Sequence, residues 1–242
     1  MSFNVKHRDG TQTEHARRVR ERFGGIARRY DLLNHVLSGN TDKRWRRMVA
    51  KRVAATLPTV GGLVLDVACG TGDLSLALKK ESGGVVIGTD FCRPMLEIAA
   101  RKMHDIPFVE GDALRLPFAD EVFDAVSIAF GLRNLSSVED GLGELRRVLK
   151  PGGLVAVLEF STPVVPGLSG LFQQYFHRVL PRIGGWVSGS RAAYTYLPNS
   201  VVKFPDQGRL AEMMQAAGFE GVEYKNLTGG IAAFHWGRRK SN

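Results

Sequence analysis

The chain has 242 residues, enough for one large domain with a buried core. Hydrophobic residues make up 44% and charged residues 24%, ordinary globular values that exclude wholesale disorder. Its net charge of +9 is confined to residues 1–52, which carry 14 Lys and Arg against 5 Asp and Glu, while residues 53–242 hold 19 of each. A basic face of that kind meets an anionic partner (nucleic acid, a membrane surface or an acidic ligand) or is simply a solvated helix surface. No apolar run approaches the ~20 residues of a membrane-spanning helix. The first residues lack a secretory apolar core, and Cys69 and Cys92 are too few for a disulfide framework or a zinc site. A reduced, cytoplasmic protein is the expectation.

In chain order, residues 1–14 are polar and aperiodic, a flexible tail. Residues 15–242 then read as a single domain. Residues 15–58 form a basic helical cap, broken near Leu37-Ser38-Gly39-Asn40-Thr41, with Val19, Phe23, Ile26 and Tyr30, then Trp45, Val49, Val53 and Leu57, at helical spacing. Strand-like Leu63–Ala68 precedes a helix, Val85–Asp90 precedes another at Pro94–Lys102, and Pro107–Glu110 follows. Phe123–Ala129 leads to a helix over Val138–Leu149 and to a strand over Leu154–Phe160. Residues 161–205 hold Gly, Pro and aromatics without clean period, an insertion that suits a substrate cover, with Phe172, Tyr175, Phe176 and Val179 along one stripe. A helix over Gln207–Ala217 is followed by strands Gly221–Leu227 and Ile231–Gly237, joined through Thr228-Gly229-Gly230. Short apolar strands alternating with amphipathic helices predict an α/β, doubly wound, mainly parallel sheet with an antiparallel edge hairpin, plus N-terminal helices.

The chemistry concentrates where these strands end. An apolar strand runs into Gly70-Thr71-Gly72 and then a helix, a turn that lets backbone lie against a ligand. Position 75 is Ser, so the dinucleotide pattern G-x-G-x-x-G is not met. Asp66 lies four residues before the first glycine, Asp90 ends the next strand, and Asp112 follows the third. Asp90 suits ribose hydroxyls, and the three carboxylates should converge on one crevice at the strands' carboxyl ends. Three carboxylates and no Lys or Arg in the glycine loop argue for a nucleoside bearing a positive group over a phosphate ligand. Asp73 reads as a helix-start residue. The histidines, His35, His104, His177 and His235 among them, have no ligand spacing, so no metal site is expected.

The order Asp-x-x-x-Gly-x-Gly, strand-end Asp90 and Gly111-Asp112-Ala113 resembles the class I S-adenosylmethionine-dependent methyltransferases, with their Rossmann-like fold. Phe130-Gly131-Leu132-Arg133-Asn134, Leu149-Lys150-Pro151-Gly152-Gly153, Leu158-Glu159-Phe160-Ser161, Leu180-Pro181-Arg182-Ile183-Gly184 and Ala217-Gly218-Phe219-Glu220 are similar to one branch. So are Tyr30-Asp31-Leu32-Leu33-Asn34 and Tyr194-Thr195-Tyr196-Leu197. That branch is the demethylmenaquinone and ubiquinone-precursor C-methyltransferases, and the resemblance spans about residues 15–240. It implies S-adenosyl-L-methionine as co-substrate, no metal, and contacts from Thr71, Asp90, Asp112 and Ala113 beside Asp66, Gly70 and Gly72. Asp90 would hold the ribose and Asp112 the adenine amine. Some relatives carry a Ser at position 129, where this chain has Ala129. Ser127 is two residues earlier on the same strand face.

The implied reaction methylates a ring carbon of a prenylated quinol, demethylmenaquinol or a ubiquinone precursor. Arg133 and Asn134 then become catalytic candidates: Arg133 for a developing phenolate or the water that takes the proton, Asn134 for a ring oxygen. From the residues alone, an ion pair of Arg133 with Asp140 or Glu144 on the following helix is the favoured reading, and the resemblance turns the choice to catalysis. Two other classes compete. A nicotinamide-dependent oxidoreductase leaves Gly111-Asp112-Ala113 unexplained. A nucleic-acid methyltransferase explains the basic segment, but the chain has no amine site or base-stacking pattern to match. A lipid-borne acceptor gives the basic segment another use, transient contact with the anionic inner face of a membrane through Arg17, Arg18, Arg20, Arg22, Arg28, Arg29, Arg44, Arg46 and Arg47.

Overall fold

The computed structural model describes residues 38, 40–58, 62–166 and 200–241. The stripe at Val19–Tyr30 and the one at Phe172–Val179 lie outside them, as do the 1–14 tail and most of the 161–205 insertion.

The first described helix, α1 (Thr41–Ala54), leads to β1 (Leu63–Val67), α2 (Asp73–Ser82), β2 (Val85–Asp90), α3 (Arg93–Lys102) and β3 (Phe108–Glu110). Then come β4 (Phe123–Ala129), a 3-10 turn (Leu132–Asn134), α4 (Val138–Val148), β5 (Leu149–Phe160), α5 (Gln207–Ala216), β6 (Phe219–Leu227) and β7 (Ala232–Arg239). The seven strands form one sheet in the order β3-β2-β1-β4-β5-β7-β6. The pairs among β1 to β5 are parallel, and β7 is antiparallel to both β5 and β6. This is the doubly wound sheet with an antiparallel edge that the alternation of elements predicts.

Period-two alternation supplies both faces of the sheet. On β5, Leu154, Ala156 and Leu158 join Trp45, Val49 and Val53 of α1 and Leu74 and Leu78 of α2. Val155 and Val157 turn the other way, toward Leu142 and Leu145 of α4 and Leu210 and Met214 of α5. Each face is thus sealed by helices, which suits strands that are apolar along their whole length.

Two boundaries differ from the sequence reading. Strand β5 begins at Leu149, five residues early, because Leu149 pairs with Phe123 before Pro151-Gly152-Gly153 bulges out and pairing resumes at Ala125–Leu154. Those three residues are a turn signal in isolation, yet here they form a bulge within one strand. Helix α1 stops at Ala54, short of Leu57, which packs against the core from the turn that follows.

Candidate active site

Strand order reverses between β1 and β4, the place where an open α/β sheet leaves a crevice at its carboxyl edge. A cleft of about 340 Å³, open mouth included, lies there, between Ala68 after β1 and Ala129 at the end of β4. The chain leaves both strands in a left-handed conformation at residues that are not glycine, Ala68 (φ 52°) and Phe130 (φ 57°). Such geometry is uncommon outside glycine and clusters at functional sites. Gly131 lets the two exits approach, since a Cβ there would lie 2.5 Å from the Cβ of Ala68.

The floor of the cleft is the glycine loop. Gly72 (φ 86°) starts α2 and is packed so closely that a Cβ would run into Met103 Cε. Gly70 N–H donates to Asp90 Oδ2 at 2.9 Å, and Cys92 N–H donates to Asp90 Oδ1 at 2.8 Å. Asp90 therefore clasps the loop after β1 and the start of α3 at once, with Phe91 N–H as a further donor. Burial pushes its carboxyl above the usual range, against these backbone donors. Thr71 is buried and lines the cleft, and its carbonyl accepts from Lys102 Nζ at 3.3 Å. Asp73 opens α2 as expected, also lines the cleft, and pairs with Lys102 at 3.5 Å.

Asp66 is buried at the end of β1 and reaches the same cleft. Ser75 Oγ donates to its Oδ2 at 2.6 Å and Ser127 Oγ to its Oδ1 at 3.1 Å. Burial outweighs these hydroxyls and raises the carboxyl to about 7. Ser127 is thus an orienting partner of Asp66, wholly buried, whereas Ala129 borders the cleft itself. Asp112 lies two residues past Glu110, which is in register with Asp90 across β2 and β3. Its Oδ1 accepts from Leu114 N–H at 2.9 Å in a short turn that buries Ala113. The structure therefore brings Asp66, Asp90 and Asp112 to the ends of three adjacent strands.

Arg133 and Asn134 lie beyond the other lip, in the 3-10 turn after β4. Arg133 pairs with neither Asp140 nor Glu144, the partners its sequence position suggests; Glu144 binds Arg147 and Leu116 N–H instead. Its partner is Glu159 at the end of β5: Nη1 donates to Glu159 Oε1 at 2.6 Å and to the Phe130 carbonyl at 2.6 Å. Both side chains are buried, 5% and 1% exposed. The guanidinium lies 5.2 Å from the Phe160 ring centre, and Asn134 Nδ2 donates to the Phe130 carbonyl at 3.2 Å.

Sequence reasoning missed two charged residues of this site. Glu159 stands in the motif Leu158–Ser161, but its pairing with Arg133 was invisible because 26 residues separate the two and only pairing of β4 with β5 brings them together. Arg46 reads as one more surface arginine, but its side chain is 10% exposed, is paired with Asp42, and lines the cleft. The signal was present in the spacing, since Asp42 precedes Arg46 by one helical turn.

A doubly wound sheet with an acidic, glycine-floored cleft at its switch point is the Rossmann-like fold of methyltransferases. The structure matches an S-adenosylmethionine-dependent methyltransferase from Thermotoga maritima with a TM-score of 0.64, over 91% of this chain and 99% of that one, at 20% identity. The chain belongs to the ubiE/COQ5 methyltransferase family, whose pattern it matches over residues 11–239. It is 50% identical over 222 residues to the demethylmenaquinone methyltransferase of Thermus thermophilus, covering 90% of this chain and 99% of the relative. To the demethylmenaquinone methyltransferase of Deinococcus radiodurans it is 47% identical over 236 residues, 96% of each chain. The family resemblance read from the sequence is thereby borne out, as is an enzyme of the methyltransferase class.

Proposed function

We propose that this enzyme transfers the methyl group of S-adenosyl-L-methionine to a ring carbon of a prenylated quinol, converting demethylmenaquinol to menaquinol. The observation that carries this reading is identity near one half, over almost the full length of both chains, with two demethylmenaquinone methyltransferases. The cleft fits the co-substrate chemically. Asp66 and Asp73 line it for a cationic ligand, Asp90 holds the glycine loop beside it, and Asp112 with Ala113 lies past the third strand, outside the residues that line the cleft.

When bound, S-adenosylmethionine supplies an electrophilic methyl group on a sulfonium. In this reading Asp90 accepts the ribose hydroxyls and Asp112 the adenine amine. Thr71, Gly70, Gly72 and Ala113 shape the walls. Arg133, held rigid by Glu159 and the Phe130 carbonyl, stabilises the phenolate that makes the ring carbon nucleophilic, and Asn134 orients a ring oxygen. Phe130 and Phe160, 4.8 Å apart, keep this corner apolar and strengthen the charge interactions there.

The acceptor's prenyl tail resides in a bilayer, so the enzyme collects it at a membrane surface from the cytoplasmic side. Among the described residues no helix is long and apolar enough to cross a membrane. Docking falls to Arg17, Arg18, Arg20, Arg22, Arg28 and Arg29, outside the described residues, together with exposed Arg44. Arg46 is buried and Arg47 is paired with Glu81 at 2.7 Å, which removes the first from that group and weakens the second. This reading assigns the tail to the segment 161–205, most of which lies outside the described residues. Mass spectrometry of quinones from cells lacking this protein tests the reaction: demethylmenaquinone should accumulate. An unchanged menaquinone pool would overturn the assignment.

A further inference from the structure

The end of β5 carries the reacting corner, yet strand pairing supports it from one side only. Pairing with β4 stops at Ala129–Leu158, and beyond it β7 alone runs beside β5, as far as Phe160–Ala232. In that overhang Glu159 holds Arg133, and Phe160 lies against both the Arg133 guanidinium and Phe130. Ser161 comes next and is tied twice. Its N–H donates to the Ile231 carbonyl at 3.0 Å, and its hydroxyl donates to Oε1 of Gln207, the first residue of α5.

His235 sits behind that tie. It is 1% exposed, in register with Val157 of β5 and with Tyr224 of β6, whose ring centre is 5.2 Å away. Its Nε2 lies 2.8 Å from the Gln207 carbonyl. A carbonyl oxygen only accepts, so Nε2 carries the proton and donates. Nδ1 is then a bare lone pair, buried and with no partner among the described residues. Burial pushes the imidazole below its ordinary range, which keeps the ring neutral. The layer between this face of the sheet and α5 is otherwise apolar, with Val155, Val157, Leu210 and Met214. An aliphatic side chain would pack there without leaving a nitrogen unsatisfied. What the imidazole adds is a fixed geometry.

We infer that His235 is a positioning residue for methyl transfer, acting through Gln207 and Ser161 on the end of β5 that aims Arg133, a role that rests on the proposed part of Arg133 in that reaction. His235 fixes the backbone of Gln207, and the Gln207 side chain fixes Ser161. Ser161 in turn keeps Glu159 and Phe160 from shifting beneath the guanidinium. A displacement of ~1 Å at a reacting group is enough to lower a rate on the order of 10²-fold.

Steady-state kinetics on the full chain, with S-adenosylmethionine and reduced demethylmenaquinone, test the relay. His235→Leu and Ser161→Ala should each lower kcat by ~10–100-fold. Calorimetry should find S-adenosylmethionine affinity within about twofold of wild type, which also reports a folded cleft. His235→Gln, whose amide reaches as far as Nε2, should recover most of kcat, and the shorter His235→Asn should not. Both residues act through Gln207, so combining His235→Leu with Ser161→Ala should cost at most about twofold beyond the slower single variant. Unchanged kcat in both single variants, losses that multiply, equal kcat in the Gln and Asn variants, or affinity falling in step with kcat would overturn the relay. A wild-type chain that transfers no methyl group to the quinol would instead overturn the reading of the reaction on which the relay rests.

Discussion

The two lips of the cleft are built in different ways. On the side of β1 and β2, Asp90 grips the loop through backbone N–H groups of Gly70 and Cys92, and hydroxyls of Ser75 and Ser127 hold Asp66. On the side of β4 and β5, a single buried ion pair, Arg133 with Glu159, sets the geometry. The first lip is made of glycine turns and backbone donors that any short polar ligand can share. The second confines one charged fork among Phe130 and Phe160. A binding lip and a reacting lip should respond to substitution in opposite ways.

The largest effect belongs to the reacting lip. Arg133→Lys keeps a cation opposite Glu159 but loses the planar fork, and should lower turnover by ~10²–10⁴-fold while S-adenosylmethionine affinity stays within about twofold. Steady-state kinetics beside calorimetry separate the two, and a parallel loss of affinity and turnover would make the pair merely structural. Arg133→Ala adds a second penalty. It leaves Glu159 as a lone buried charge, which should cost about 3–5 kcal/mol in a denaturant titration.

Next comes the binding lip. Asp90→Ala should weaken S-adenosylmethionine by about 1.5–3 kcal/mol, since charge-assisted bonds to two hydroxyls vanish. Unchanged affinity in the folded variant would place the ribose elsewhere.

A smaller effect sharpens the contrast within that lip. The Asp66 carboxyl is raised to about 7, so the folded state holds a proton that the unfolded chain gives up near its ordinary value of 3.8. The stability linked to that proton is fully present below about pH 4 and is lost as pH rises through about 7. Asp66→Asn does not titrate, and its Tm relative to wild type should therefore climb between pH 5 and pH 8 in the ligand-free protein. A difference that stays level with pH would mean that Asp66 is ionised throughout.

The smallest effect concerns the basic segment, where each arginine near an anionic surface adds at most ~1 kcal/mol. Co-sedimentation with anionic vesicles should fall with added salt and weaken when Arg18, Arg22, Arg28 and Arg44 become Gln. Equal binding to neutral vesicles would return the segment to a solvated helix face.

How much of this was legible in the sequence depends on how local each feature is. The glycine loop, the strand-end carboxylates and the alternation of elements depend on residues close in sequence, and the doubly wound sheet followed from them. Phe123–Ala129 even has the boundaries that the apolar run suggests. The start of β5 was hidden because Pro151-Gly152-Gly153 signals a turn, while Leu149 has already paired with Phe123. The Arg133 partner was hidden for a related reason. Local spacing offered Asp140 and Glu144, but the carboxylate came from a neighbouring strand, and strand order is a long-range property. Arg46 was misjudged because charge composition counts residues without showing which way a helix turns.

In the proposed reaction this cleft brings a sulfonium methyl to a quinol ring carbon. Incubating the purified chain with deuteriomethyl-labelled S-adenosylmethionine and reduced demethylmenaquinone, followed by tandem mass spectrometry of the extracted quinones, tests it directly. One labelled methyl on the quinone ring carbon is expected, absent with Arg133→Ala. An unlabelled quinone, or a label on a ring oxygen, would contradict it.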